Sequence, residues 1–134
     1  MKQYAQLFED HHDTLYAVFR ISVGLLFAQH GAQKLLGMFG GSQVKLVSLL
    51  GLAGVIELVG GLLIAAGLFT RIAALFGVAD MVGAQVQVHL PQGLVPIQNG
   101  GELALLYLVC FLFILAHGGL HWSLERELFG EEFF

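Results

Sequence analysis

Apolar and polar positions alternate along this chain in long blocks. Four apolar stretches, at about residues 15–36, 46–69, 72–89 and 102–120, are separated by short segments rich in glycine, proline or charge. Each stretch is long enough to cross a bilayer as a helix, which needs roughly 17–25 residues. The pattern predicts an all-α integral membrane protein: one domain over residues 1–134, folded as an antiparallel bundle of four transmembrane helices. Local signals set the ends. Asp13 or Thr14 is placed to cap the first span, and Gly67 to end the second before a tight Thr70-Arg71 connection. Pro91, Gly93 and Pro96 stop the third at His89. Asn99 and Glu102 have the spacing of a capping box for the fourth, which closes at Gly118-Gly119. Before the first span, Tyr4, Leu7 and Phe8 fall on one face of a short helix lying on the membrane surface.

Polar residues inside the apolar blocks carry the functional reading. Glu57 stands mid-span, where a charge costs about 2.5–3.5 kcal/mol to insert. Gly60, Gly61, Ile64 and Gly67 share its face at helical spacing, so a second helix is expected to approach there. The first span holds Arg20, His30 and Lys34, with Gly24, Phe27 and Gly31 on the same stripe. At a rise of about 1.5 Å per residue, Arg20 and Asp80 lie about 8 and 12 Å in from the side of the termini, and are expected to form a structural ion pair. From the opposite side His30, Tyr107 and Gln85 lie about 6–9 Å deep and Glu57 about 16 Å, with His89, Asn99 and Glu102 near the surface. These residues are expected to converge in a polar pocket entered from the 90–99 loop. Glu57 and His30 are the candidate catalytic, proton-handling groups, since a carboxylate beside a histidine can be tuned towards neutral pH. Arg20, Lys34, His89, Asn99, Glu102 and Tyr107 are the candidate ligand-binding residues. The competing reading is a satisfied polar network that only holds the helices in register, with Arg20 and Lys34 reaching to opposite interfaces.

Composition narrows this picture. The chain is 57% hydrophobic and 12% charged, whereas soluble domains carry roughly 25% charged residues. A net charge of −4 without a basic stripe points away from nucleic acid. The single cysteine, Cys110, excludes dithiol chemistry within the chain. Ser48 and Ser123 lack a neighbouring base, and the histidines at different depths define neither a zinc site nor a bis-histidine haem plane. The Glu9–Asp13 run is read as a solvated surface stretch rather than a metal site. The acidic, polar start does not read as a cleaved leader. Lys2, Arg20, Arg71 and Arg126 fall on the terminal side, against Lys34 and Lys45 opposite, so the termini are expected to be cytoplasmic.

The ordered set Arg20, Gly24, Phe27, His30-Gly31, Lys34-Leu35, Glu57, Gly60-Gly61, Gly67, Thr70-Arg71, His89, Asn99-Gly100-Gly101-Glu102, Tyr107 and Ser123-Leu124 resembles the DoxX family. The resemblance implies a four-helix inner-membrane protein of bacteria or archaea, associated with quinone-linked oxidoreductases and other redox enzymes. Quinone is then the expected cofactor or ligand. A soluble or membrane redox enzyme, or further copies of the chain, are the expected partners. Besides a ligand-binding redox subunit, two other functions are open: a non-enzymatic anchor that docks an enzyme through its acidic, aromatic tail, and a small-solute or proton transporter. Glu125 stands where the family often has aspartate, which keeps the carboxylate.

Overall fold

A computed structural model describes residue 6 and residues 9–133. The expected surface turn of Tyr4, Leu7 and Phe8 lies outside those residues, as do Lys2 and Phe134. The described chain is all-α, with no strand among its residues. Helix α1 spans His12–Leu36, α2 Leu49–Ala66, α3 Thr70–Gln92, α4 Pro96–Asn99, α5 Glu102–His117 and α6 Leu124–Phe129. Two of these, α2 and α3, are long and apolar enough to cross a membrane; α5 is apolar but shorter.

Several ends differ from the sequence expectation, each for a local reason. Helix α2 starts at Leu49, because the Ser48 hydroxyl accepts the Gly51 N–H at 3.0 Å and caps the helix there. Leu46 and Val47 are left outside it, Val47 96% exposed. Helix α3 runs past Pro91: its last turn, Leu90–Gln92, is a 3₁₀ turn whose first positions need no proline N–H. Pro96 likewise opens the single turn of α4. The capping box does not form. The Asn99 side chain instead accepts from the Gly101 N–H at 2.7 Å, and α5 begins after Gly101 without a side-chain cap.

The four longer helices contribute to one apolar core. Phe27 of α1, Ile64 of α2, Met81 of α3 and Phe111 of α5 are buried in it, and the Phe27 and Phe111 rings meet edge to face with centroids 4.6 Å apart. Helix α1 lies along the whole of α2, and α3 pairs with α5. Outward faces carry exposed Leu25, Leu52, Leu62, Phe76, Val109 and Leu112. Water does not favour such continuous apolar surface, whereas a bilayer does.

Small residues set the α1–α2 distance, as their spacing suggested. A methyl group added at Gly24 would stand 2.6 Å from the Gly61 carbonyl oxygen, and one at Gly31 2.6 Å from the Gly54 carbonyl oxygen and against the Leu58 backbone. The backbones touch, and no side chain fits between them. Gly31→Ala is therefore expected to cost about 1–3 kcal/mol by overpacking. Gly60→Ala, whose nearest new neighbour is the Ala73 oxygen at 3.9 Å, is expected to stay within about 0.5 kcal/mol. Thermal unfolding of both variants in detergent checks the contrast.

Candidate functional site

Glu57 sits in a π-helical turn, Ile56–Gly60, in the middle of α2. A second π turn, Gln85–His89, lies in α3 and carries His89. Such turns add a residue to the helical repeat and re-aim side chains, and they recur at functional sites. The Glu57 carboxylate is buried and bound by one partner: Lys34 Nζ donates to Oε1 at 2.5 Å and to Oε2 at 2.6 Å. The lysine side chain is 28% exposed and the carboxylate 6%.

This pairing corrects the depth estimate, which gave Glu57 to His30 and Tyr107 and left Lys34 as a ligand-binding residue or an interface one. Because α2 starts at Leu49, Glu57 is only eight residues, about 12 Å, into the helix. The long lysine stem reaches inward to it. His30 and Tyr107 pack on each other, ring edge to ring face with centroids 5.9 Å apart, and neither bonds Glu57.

Part of the expected set meets at one cavity, without Gln85, Asn99 and Glu102. His30, Lys34, Glu57, His89 and Tyr107, one or two from each of the four longer helices, line a cavity of about 250 Å³ that also meets Phe27, Met81 and Gly100. A larger cavity of about 460 Å³ lies on the other side of the ion pair, between α2 and α3, and shares Lys34, Glu57 and His89 with it. Asp80 lines this outer cavity. It makes no hydrogen bond or ion pair among the described residues, and its Oδ2 is buried without a partner. The sequence reading sent Asp80 to Arg20 and missed its place here. The signal was available, since Asp80, Ala84 and Gln87 share one helical stripe and all three line the outer cavity.

Arg20 belongs elsewhere. The expected Arg20–Asp80 pair does not form, and Arg20 lines neither of these two cavities. Its fully buried guanidinium donates to four backbone carbonyls: Ile64, Ala65 at 2.9 Å, His121 at 3.2 Å and Trp122 at 2.8 Å. The first two lie at the end of α2, where the Ile64 oxygen also accepts the Gly67 N–H at 3.2 Å and a cation favours the helix dipole. The same end is fastened by the C-terminal segment. Ser123 Oγ and the Glu125 N–H both donate to the Gly67 oxygen, at 2.8 and 3.0 Å. The buried Glu125 carboxylate accepts from the Phe69 N–H at 3.2 Å. The Ser123–Glu125 part of the ending motif is thus a clamp on the α2–α3 turn, and Glu125 is not free to dock a partner.

Asn99 and Glu102 also leave the site. Asn99 is buried and holds the α3–α5 connection, donating to the Gly93 oxygen at 2.7 Å as well as accepting from Gly101. His89 Nδ1 lies 3.2 Å from the Asn99 carbonyl oxygen, and Gln85 Nε2 donates to the Gly101 oxygen at 2.6 Å. The first of these contacts orients the His89 ring. Glu102 is exposed in a shallow hollow beside Pro96 and Leu103, outside both cavities.

An all-α chain with apolar outward faces, two helices of membrane-crossing length and a lysine–carboxylate pair joining α1 to one of them has the character of a membrane protein. The DoxX family model matches residues 15–90, which covers α1 to α3 and with them Arg20, His30, Lys34, Glu57 and His89. The chain belongs to the DoxX family. It is 38% identical over 128 residues to an uncharacterized protein of Haemophilus influenzae, covering 90% of this chain and 96% of the relative. It is 34% identical over 127 residues to an uncharacterized membrane protein of Mycobacterium tuberculosis, covering 81% of this chain and 78% of that one. No solved structure matches the chain.

Proposed function

We propose that this DoxX protein is a four-span inner-membrane subunit that binds the headgroup of a quinone, or a similar small polar molecule, in the inner cavity. The observation that carries this reading is the convergence of His30, Lys34, Glu57, His89 and Tyr107 from four helices on one cavity of about 250 Å³. Its size suits a single ring, since an apolar cavity of about 150 Å³ takes one benzene. Its polar groups suit a ligand that both accepts and donates. Lys34 supplies a donor, Glu57 an acceptor, and each of the two imidazoles can donate or accept a hydrogen bond. Helices α1 and α5 line the cavity beside α2 and α3, so all four elements serve as spans. In this reading the termini are cytoplasmic, which the arginines on their side support.

Purification in mild detergent followed by solvent extraction and mass spectrometry tests the proposal. Quinone is expected with the wild-type protein and is expected to be lost from Glu57→Gln. A folded wild-type protein that binds no quinone at any concentration tested overturns it.

A further inference from the structure

Helices α2 and α3 meet at the 67–69 turn and separate away from it. Helix α3 packs against α2 chiefly along Ile56–Ala66, while Leu49, Leu52 and Ala53 of α2 face Gly83, Ala84 and Val88 of α3 across the cavity of about 460 Å³. That opening lies on the outward apolar face, where Leu49, Leu52 and Val88 are exposed. At its inner end it borders the headgroup cavity, since Lys34, Glu57, Met81, Ala84 and His89 line both. A volume of this size is that of an ordinary small-molecule site. Among the described residues no side chain of this chain fills it.

The geometry points to a ligand drawn sideways from the bilayer: an uncharged amphiphile whose head meets Lys34 and Glu57 while its single alkyl or isoprenoid chain lies in the α2–α3 cleft. This rests on the headgroup reading proposed above and adds the route and the chemical class. The cleft wall is apolar, so a chain there exchanges one hydrocarbon surround for another. The charges select the head. One lysine faces two carboxylates, Glu57 and Asp80, and Asp80 has no partner of its own. A phosphate head would add negative charge beside a carboxylate already lacking a cation, which is unfavourable at low dielectric. An uncharged head meets no such penalty.

Two probes share one head and differ in the chain: decylubiquinone and the same benzoquinone head without a chain. Their binding to the purified protein is measured by calorimetry. Two variants narrow the cleft from opposite walls. Gly83→Leu starts its side chain in open space, the nearest neighbour of a Cβ there being Gln87 Nε2 at 3.8 Å. Ala53→Leu does the same from α2. Each is expected to weaken decylubiquinone about tenfold and to change the chainless head less than about twofold. Equal effects on both probes, or no effect on either, overturn the chain site and leave the headgroup reading standing. Displacement of decylubiquinone by lysophosphatidylglycerol at equal concentration overturns the uncharged class. Failure of the wild-type protein to bind either probe removes the headgroup reading and this inference with it.

Discussion

Replacing Arg20 with alanine is expected to cost about 4–6 kcal/mol, enough to leave a domain of ordinary stability largely unfolded. The guanidinium is fully buried and bound to carbonyls of Ile64, Ala65, His121 and Trp122. Each buried acceptor left without a donor costs about 1–3 kcal/mol, and here up to three are released together, since the Ile64 oxygen keeps the Gly67 N–H. Of the four carbonyls two belong to the end of α2 and two to the C-terminal segment, so Arg20 ties that segment to the first helix. Arg20→Lys is expected to recover little, because an ammonium offers three donors from one point where the fork spans two segments. Asp80→Asn is expected to cost less than about 1 kcal/mol, since the carboxylate has no bond to lose. Chemical unfolding of the two singles and the double in detergent decides the matter. Coupling above about 1 kcal/mol between positions 20 and 80 would restore the ion pair that their similar depths suggested.

That pair shows where sequence reading ran out. The all-α class and the pocket followed from periodic signals: blocks of apolar residues, glycines three and four apart, and polar groups at matching depth. Depth alone cannot say which way a side chain points. Arg20 and Asp80 lie at similar depth, but one faces the end of α2 and the other the α2–α3 opening. Lys34 was placed among the ligand-binding residues, with the interface as the competing reading, and its stem instead reaches inward to Glu57. The π turns at 56–60 and 85–89 have no sequence mark, yet they re-aim Glu57 and His89. Asn99, Glu102 and Ser123 were legible as a motif but not as to role. The structure gives Asn99 and Ser123 to loop and turn fastening, and leaves Glu102 at the surface. A conserved-looking polar residue in a family motif can serve the backbone as readily as a ligand, and only its hydrogen bonds distinguish the two.

Lys34→Met is expected to be more damaging than Glu57→Gln, at about 4 against about 2 kcal/mol. A buried pair broken from one side typically costs about 3–5 kcal/mol, because the remaining charge is stranded. The two sides are unequal here. Without Glu57, Lys34 still has the Asp80 carboxylate across the same cavity and a partly exposed stem that can turn towards it. Without Lys34, two carboxylates face one apolar cavity with no cation, and each must be protonated or hydrated at its own cost. Adding Asp80→Asn to Lys34→Met is therefore expected to recover about 1 kcal/mol, although the same change in the wild-type background gains nothing. Unfolding curves for the four proteins measure this directly. Equal losses from Lys34→Met and Glu57→Gln, with no recovery on adding Asp80→Asn, would show that Asp80 does not share the lysine. Both single variants are expected to lose the bound headgroup. Stability and binding then separate in Lys34→Met/Asp80→Asn, which regains part of its stability but keeps no donor for the ligand.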